Sequence, residues 1–317
     1  MSGPSNEGGG SLTAILWALG ANGGIAVAKF AAASYTGSGA MLAEAIHSLA
    51  DCANQVLLLV GMRQARAGVT EIHPLGAGRV VYFYAMMVAL MLFTLGGAFS
   101  VYEGINRLRN PEEVHSPVVA LAVLGISIIL ESLSLRGALK EIRKTQGERN
   151  LWHWFRESRQ SELLVVAGED VAALAGLTLA FVAVLASFAT GNSMYDAIGS
   201  IAIGVLLMVV AFLVMREVKS LIVGESAEPA VRLAIRQHVM ERPEVLSVMS
   251  IITLQWGDAI VVAVQAEMAP QPSASAMVDA INRIEDSIQT LWPAVQWVFF
   301  EPDHPKQDLG VLPISET

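Results

Sequence analysis

Six runs of apolar residues, each near the roughly 20 residues a helix needs to cross a hydrocarbon core, leave this chain few ways to fold. They fall at about 12–33, 39–62, 80–102, 117–135, 163–189 and 194–215. Only 15% of the residues are charged and mean hydropathy is +0.52, against roughly 25% charged in an average soluble domain. The expected fold is an α-helical membrane protein with six transmembrane helices, the third, fourth and sixth continuing past the hydrocarbon. Small residues at Gly20/Gly24/Ala28 and at Ser200/Gly204 suit close helix contact in lipid.

Charge sets the orientation and excludes some partners. Arg63, Arg66 and Arg79 fall between the second and third runs, and a longer basic series from Arg136 to Arg159 falls between the fourth and fifth. Arg216 and Lys219 follow the sixth, whereas the opposite side carries only Arg107 and Arg109. The positive-inside rule therefore places both termini in the cytoplasm. A formal net charge of −9 speaks against nucleic acid as a partner. One cysteine, Cys52, excludes a disulfide scaffold or a cysteine-rich metal site. Residues 1–11 are rich in Gly and Ser, lack the basic start of a signal peptide, and read as a disordered arm.

The second run carries the chemistry. His47 and Asp51 are four residues apart, so a helix puts an imidazole and a carboxylate on one face. Glu44 and Asn54 extend that stripe by a turn in each direction. Ionisable groups inside a span are expensive and mark ion or substrate paths, and imidazole with carboxylate is a half-site for zinc and similar cations. The competing reading is a helix-packing pair. Glu169 and Asp170 in the fifth run weigh against it, because clustered carboxylates in lipid repel one another unless a cation or protons join them. Metal uptake needs a neutral imidazole and ionised carboxylates, so it expels protons.

Beyond residue 224 the texture changes. The region around 228–240 reads as a helix, 245–255 and 259–268 as strands joined at Trp256-Gly257-Asp258, 273–291 as an amphipathic helix and 295–300 as a third strand. The expected divisions are an arm at 1–11, a transmembrane domain at 12–224, a C-terminal cytoplasmic αββαβ ferredoxin-like domain at 225–303 and a flexible tail at 304–317.

With those motifs in place, the chain resembles the cation diffusion facilitator family. The resemblance rests on His47-x-x-x-Asp51, on the loop His73-Pro74-Leu75-Gly76-Ala77-Gly78-Arg79, and on the tail domain. Gly168-Glu169-Asp170-x-Ala172-Ala173-x-x-Gly176 is similar to the zinc transporter 9 branch. The resemblance implies a homodimeric exporter that exchanges a divalent cation, usually Zn2+, for protons by alternating access, with a dimerising tail domain that binds regulatory metal in many members. It also implies metal ligands at His47, Asp51 and Asp170. The family's remaining ligand position falls on Val166, which cannot bind metal, so the fourth place is open to Glu169, Asn54 or a water. Fewer histidines and more oxygens shift preference toward harder cations, which keeps Mn2+, Fe2+ and Co2+ as alternatives to Zn2+.

Other residues have plainer expected roles. Glu44 is expected to be solvated near an outer mouth, Glu131 to pair with a cytoplasmic-side arginine, and Cys52 to pack in the core. His73 is expected to serve its loop. His238, Glu267, Glu301, Asp303 and His304 are candidates for regulatory metal whose better reading is solvated surface, while Trp256 and Trp297 mark core or dimer contact. An intramembrane metallohydrolase is disfavoured because His-Glu-x-x-His is absent. A channel or scaffold leaves the paired motifs unexplained. The expected partners are a divalent metal ion, the lipid bilayer and a second copy of the chain. Short loops and the lack of a transit peptide point to a bacterial inner membrane.

Overall fold

The computed structural model describes residues 8–111, 115–146, 150 and 161–304. The chain divides into two compact units, one ending at Ile222 and the other taking up Val223 onward. The first holds α1 (Gly8–Thr36), α2 (Gly39–Ala65), α3 (Val80–Arg109), α4 (Pro117–Gln146), α5 (Ser161–Thr190) and α6 (Met194–Val223). Helix α1 begins at Gly8, inside the stretch expected as an arm, and 1–7 and 305–317 lie outside the described residues. Among the described residues, five helices are long and apolar enough to cross a membrane, covering Gly39–Ala65, Val80–Arg109, Pro117–Gly137, Gly168–Thr190 and Met194–Val223. The protein is a helical membrane protein with a small C-terminal sheet.

These helices bury small residues and turn large ones outward. Ala40, Ala43, Ala120, Ala172 and Ala180 are fully enclosed around Met41, Leu124, Leu177, Ile203 and Leu207. Ile126, Ile129, Val182, Val209 and Phe212 stand exposed instead. That inversion suits lipid, where close backbone approach rather than the hydrophobic effect joins helices. A Cβ on Gly204 of α6 would meet the Gly97 carbonyl oxygen of α3 at 2.6 Å, and one on Gly104 the Ala197 carbonyl oxygen at 2.8 Å. By contrast, Gly20 and Gly24 face open space, so the packing role expected of them in α1 is not seen.

Helix ends are tied by side chains from distant segments. The N-terminus of α2 follows Gly37, which has a positive φ, and is capped by Ser38, whose Oγ accepts from Met41 N. Ser38 Oγ in turn donates to Asp196 Oδ1 of α6 at 2.6 Å, and Gly39 N donates to Asp196 Oδ2 at 2.6 Å. Arg107 at the end of α3 donates to the Gly37 carbonyl. At the opposite end, Arg79 Nη2 donates to the Leu221 and Ile222 carbonyls of α6, a cation placed where a helix leaves its last acceptors open.

Helix α3 is not regular throughout. Leu92–Ala98 is π-helical, with Phe99 N donating to Thr94 O. Thr94 Oγ1 bonds the Leu90 carbonyl at 2.8 Å, and Gly96 and Gly97 follow, two residues with weak helix preference. A hydroxyl competing for the carbonyl ladder beside such a pair accounts for the loosened turn.

The second unit consists of α7 (Pro229–Met240), β1 (Val245–Trp256), β2 (Ala259–Met268), α8 (Ala274–Leu291) and β3 (Val295–Pro302). Strand order is β1-β2-β3, antiparallel then parallel. The hairpin turns at Gly257, where a positive φ favours glycine. Alternate β2 residues Ile260, Val262, Val264 and Ala266 pack with Ile235 and Val239 of α7 and Ala280, Ile284 and Ile288 of α8. Ser273 caps α8 by accepting from Ala276 N at 3.1 Å. Ser273→Ala should destabilise this unit by about 1 kcal/mol, read as a lower unfolding midpoint in denaturant.

Candidate metal-transport site

Four helices meet around a cavity of about 110 Å³. Helix α1 contributes Asn22 and Ile25, α2 contributes Ser48, Asp51 and Gln55, and α4 contributes Glu131 and Ser134. Helix α5 adds Glu169 and Asp170. Acidic groups from α2 and α5 therefore share one chamber. All its ionisable lining residues are carboxylates.

Asp51 joins this cavity to a more deeply buried imidazole. His47 is fully enclosed, its Nδ1 lying 3.5 Å from Asp51 Oδ1, and it is not among the cavity-lining residues. The ring lies beside Gly96 of the π-helical turn, where an added Cβ would sit 4.0 Å from Nδ1. Neither ring nitrogen has a hydrogen-bond partner among the described residues, and the same holds for Asp51 Oδ1, Asn54 Oδ1 and Asp170 Oδ2. Buried polar atoms are ordinarily paired, so this concentration of orphans on α2 and α5 fits groups whose partner is a cation or a proton.

The two candidates for the fourth ligand place are bonded to each other: Asn54 donates through Nδ2 to Glu169 Oε1. Glu169 and Asp170 nonetheless both line the cavity from adjacent positions. The side chain of Val166 lies outside the described residues. Among the described residues, no three His, Cys, Asp or Glu side chains converge closely enough to hold one ion. Binding by the full set therefore requires His47 and the α5 carboxylates to draw together around Asp51.

Two acidic residues depart from their expected places. Glu44 is fully buried instead of solvated, because Lys29 of α1 meets it with Nζ 3.3 Å from Oε2. Glu131 lines the acidic cavity, and among the described residues no arginine pairs with it. Sequence reasoning missed Lys29 and Asp196 as site and scaffold residues. The available signal was a single charge inside an otherwise apolar run, for which burial without a partner is prohibitively costly.

The remaining candidates stay apart. His73 is exposed in its loop. Cys52 is half-buried. In the second unit, His238 Nε2 contacts Ser287 Oγ at 2.9 Å and its ring meets Trp292 edge-on. Burial, reinforced by Arg242, pushes its pKa down. Glu267 accepts from Ser247 Oγ and Asp303 from Gln265, while Glu301 and His304 are exposed. Trp256 and Trp297 are half-buried.

The family model for the cation efflux transmembrane domain matches residues 15–223. The chain is 36% identical over 204 residues to the mitochondrial proton-coupled zinc antiporter SLC30A9 of Xenopus laevis, and 34% identical over the same length to its Homo sapiens counterpart. Those matches take in 63% of this chain and 36% of each relative, so the chain spans about a third of their length. The zinc transporter ZitB of Escherichia coli is 26% identical over 295 residues, covering 92% of this chain and 88% of that protein. These relatives are named as transporters or antiporters, none as an enzyme. With its transmembrane region matched nearly end to end, the chain belongs to the cation efflux family, the cation diffusion facilitators, on the zinc transporter 9-like branch.

Proposed function

We propose that this protein exports a divalent metal cation, Zn2+ first, from the cytoplasm in exchange for protons by alternating access. The observation that carries this reading is the single cavity lined by Asp51 of α2 and Asp170 of α5, with His47 3.5 Å behind Asp51. Protons or a cation balance the charge of such a chamber, and the two occupancies bias opposite openings of the helix bundle. His47, Asp51 and Asp170 hold the ion, with Glu169 or Asn54 completing the shell once their mutual hydrogen bond yields. The zinc named for both the animal and the bacterial relatives supports Zn2+ as cargo. The four carboxylates that line the cavity, Asp51, Glu131, Glu169 and Asp170, favour Mn2+, Fe2+ or Co2+ as the second reading.

Helix α1 serves as the sixth span, and both termini face the cytoplasm, in keeping with the basic loops. Residues 12–224 form the transmembrane domain and 225–303 a ferredoxin-like domain, consistent with its αββαβ order. Exposed Ile252 and Phe299, which flank Ala263 across the sheet, suit a homodimer contact. Near full-length likeness to an Escherichia coli transporter supports a bacterial inner membrane. Reconstituted vesicles test the exchange: zinc flux should accelerate several-fold when protons are concentrated on the side that receives metal. Flux indifferent to that gradient would remove proton exchange. Zinc, manganese, iron(II) and cobalt tried in turn rank the cargo.

A further inference from the structure

We infer that Lys29 sets the affinity of the transport site by holding Glu44 away from the metal. Glu44 lies one turn from His47 on the ligand stripe, and as a fully buried carboxylate it carries the charge of a further ligand. Lys29 Nζ is 3.3 Å from its Oε2 and donates to Ser48 Oγ at 2.7 Å. Ser48 itself lines the acidic cavity, so the ammonium stands directly behind the cavity wall.

The other Glu44 oxygen, Oε1, has no hydrogen-bond partner among the described residues. It rests against Gly176 of α5, where an added Cβ would come within 2.6 Å of it. Gly176 thus clears the space into which Lys29 draws the carboxylate, which gives the glycine of the α5 motif a physical task. Three helices take part: α1 supplies the cation, α2 the masked acid and α5 the recess. A carrier must release its ion as well as bind it. One more free carboxylate beside His47 would deepen binding at the expense of release.

This inference rests on the transport reading above, and charge-swap variants separate the two. Zinc binding is measured by equilibrium dialysis, and zinc flux in vesicles, for the wild type, Lys29→Met, Glu44→Gln and the double variant. Freed of Lys29, Glu44 should tighten zinc binding by about tenfold or more while maximal flux falls. An uncancelled unit charge about 10 Å from a divalent ion at an effective dielectric near 20 corresponds to roughly a hundredfold or more, so tenfold is the least change expected. Glu44→Gln leaves the ammonium uncancelled and should weaken binding by a similar factor. The double variant, with no lone buried charge, should return to within about threefold of the wild type. Should Lys29→Met fail to fold, Lys29→Gln, which keeps a donor toward Glu44 and Ser48 without the charge, takes its place and should tighten binding in the same direction. Both single variants weakening zinc binding, as a purely structural pair would require, overturns the inference alone. A wild type that binds no zinc overturns the transport reading and this inference with it.

Discussion

Asp51→Asn should reduce zinc flux on the order of a hundredfold or more while leaving the protein folded. Asp51 both faces His47 and lines the acidic cavity. The substitution keeps its volume and removes its charge. Loss of an outer-shell partner typically costs 10–100-fold in metal affinity, so loss of a direct anionic ligand costs at least that. The orphaned Oδ1 makes the alternative, a packing role, distinguishable: an asparagine would be tolerated in a packing pair. Initial rates of zinc uptake into vesicles decide the matter, and a variant within threefold of the wild type would retire the site. Asp170→Asn is the companion measurement from the opposite helix.

Asp196→Ala should cost about 3 kcal/mol of stability and lower the yield of folded protein. Asp196 accepts from Ser38 Oγ and from Gly39 N, both at 2.6 Å, and more weakly from Ala40 N at 3.4 Å. Hydrogen bonds to a charged group contribute roughly 1.5–3 kcal/mol each, and loss of an N-terminal cap costs about 1 kcal/mol. These contributions share one carboxylate and do not add in full. The truncation opens the α2 N-terminus, two turns before His47, so the ligand stripe loses its anchor to α6. Thermal unfolding in detergent reads the effect. Asp196→Asn, which keeps an acceptor, should recover about half, and an alanine variant as stable as the wild type would show that the cap is dispensable.

The elements were legible because each rests on a local pattern. Apolar run length marks Gly39–Ala65 and Met194–Val223, and alternation marks Ala259–Met268. The stripe His47, Asp51, Asn54 is likewise a property of one helix. What periodicity cannot supply is the register between helices. Glu44 looks solvent-facing until Lys29, 15 residues earlier on another helix, is brought beside it. Asp196 caps a helix 157 residues away in sequence. Glu131 shares the cavity with Asp170 through the pairing of α4 with α5, which the charge pattern of α4 alone does not encode.

The π-helical turn at Leu92–Ala98 has a bearing on how α3 presents its two halves. An extra residue in one turn advances a helix by about 100°, so the surfaces before Met91 and after Phe99 are out of phase. Reporter groups walked along this span should show two regular alternations of protection and access, each sound by itself and displaced from the other by one position. The imidazole of His47 lies beside that slip, where a small rewinding of the turn would rotate one half of the helix past the other like a screw thread.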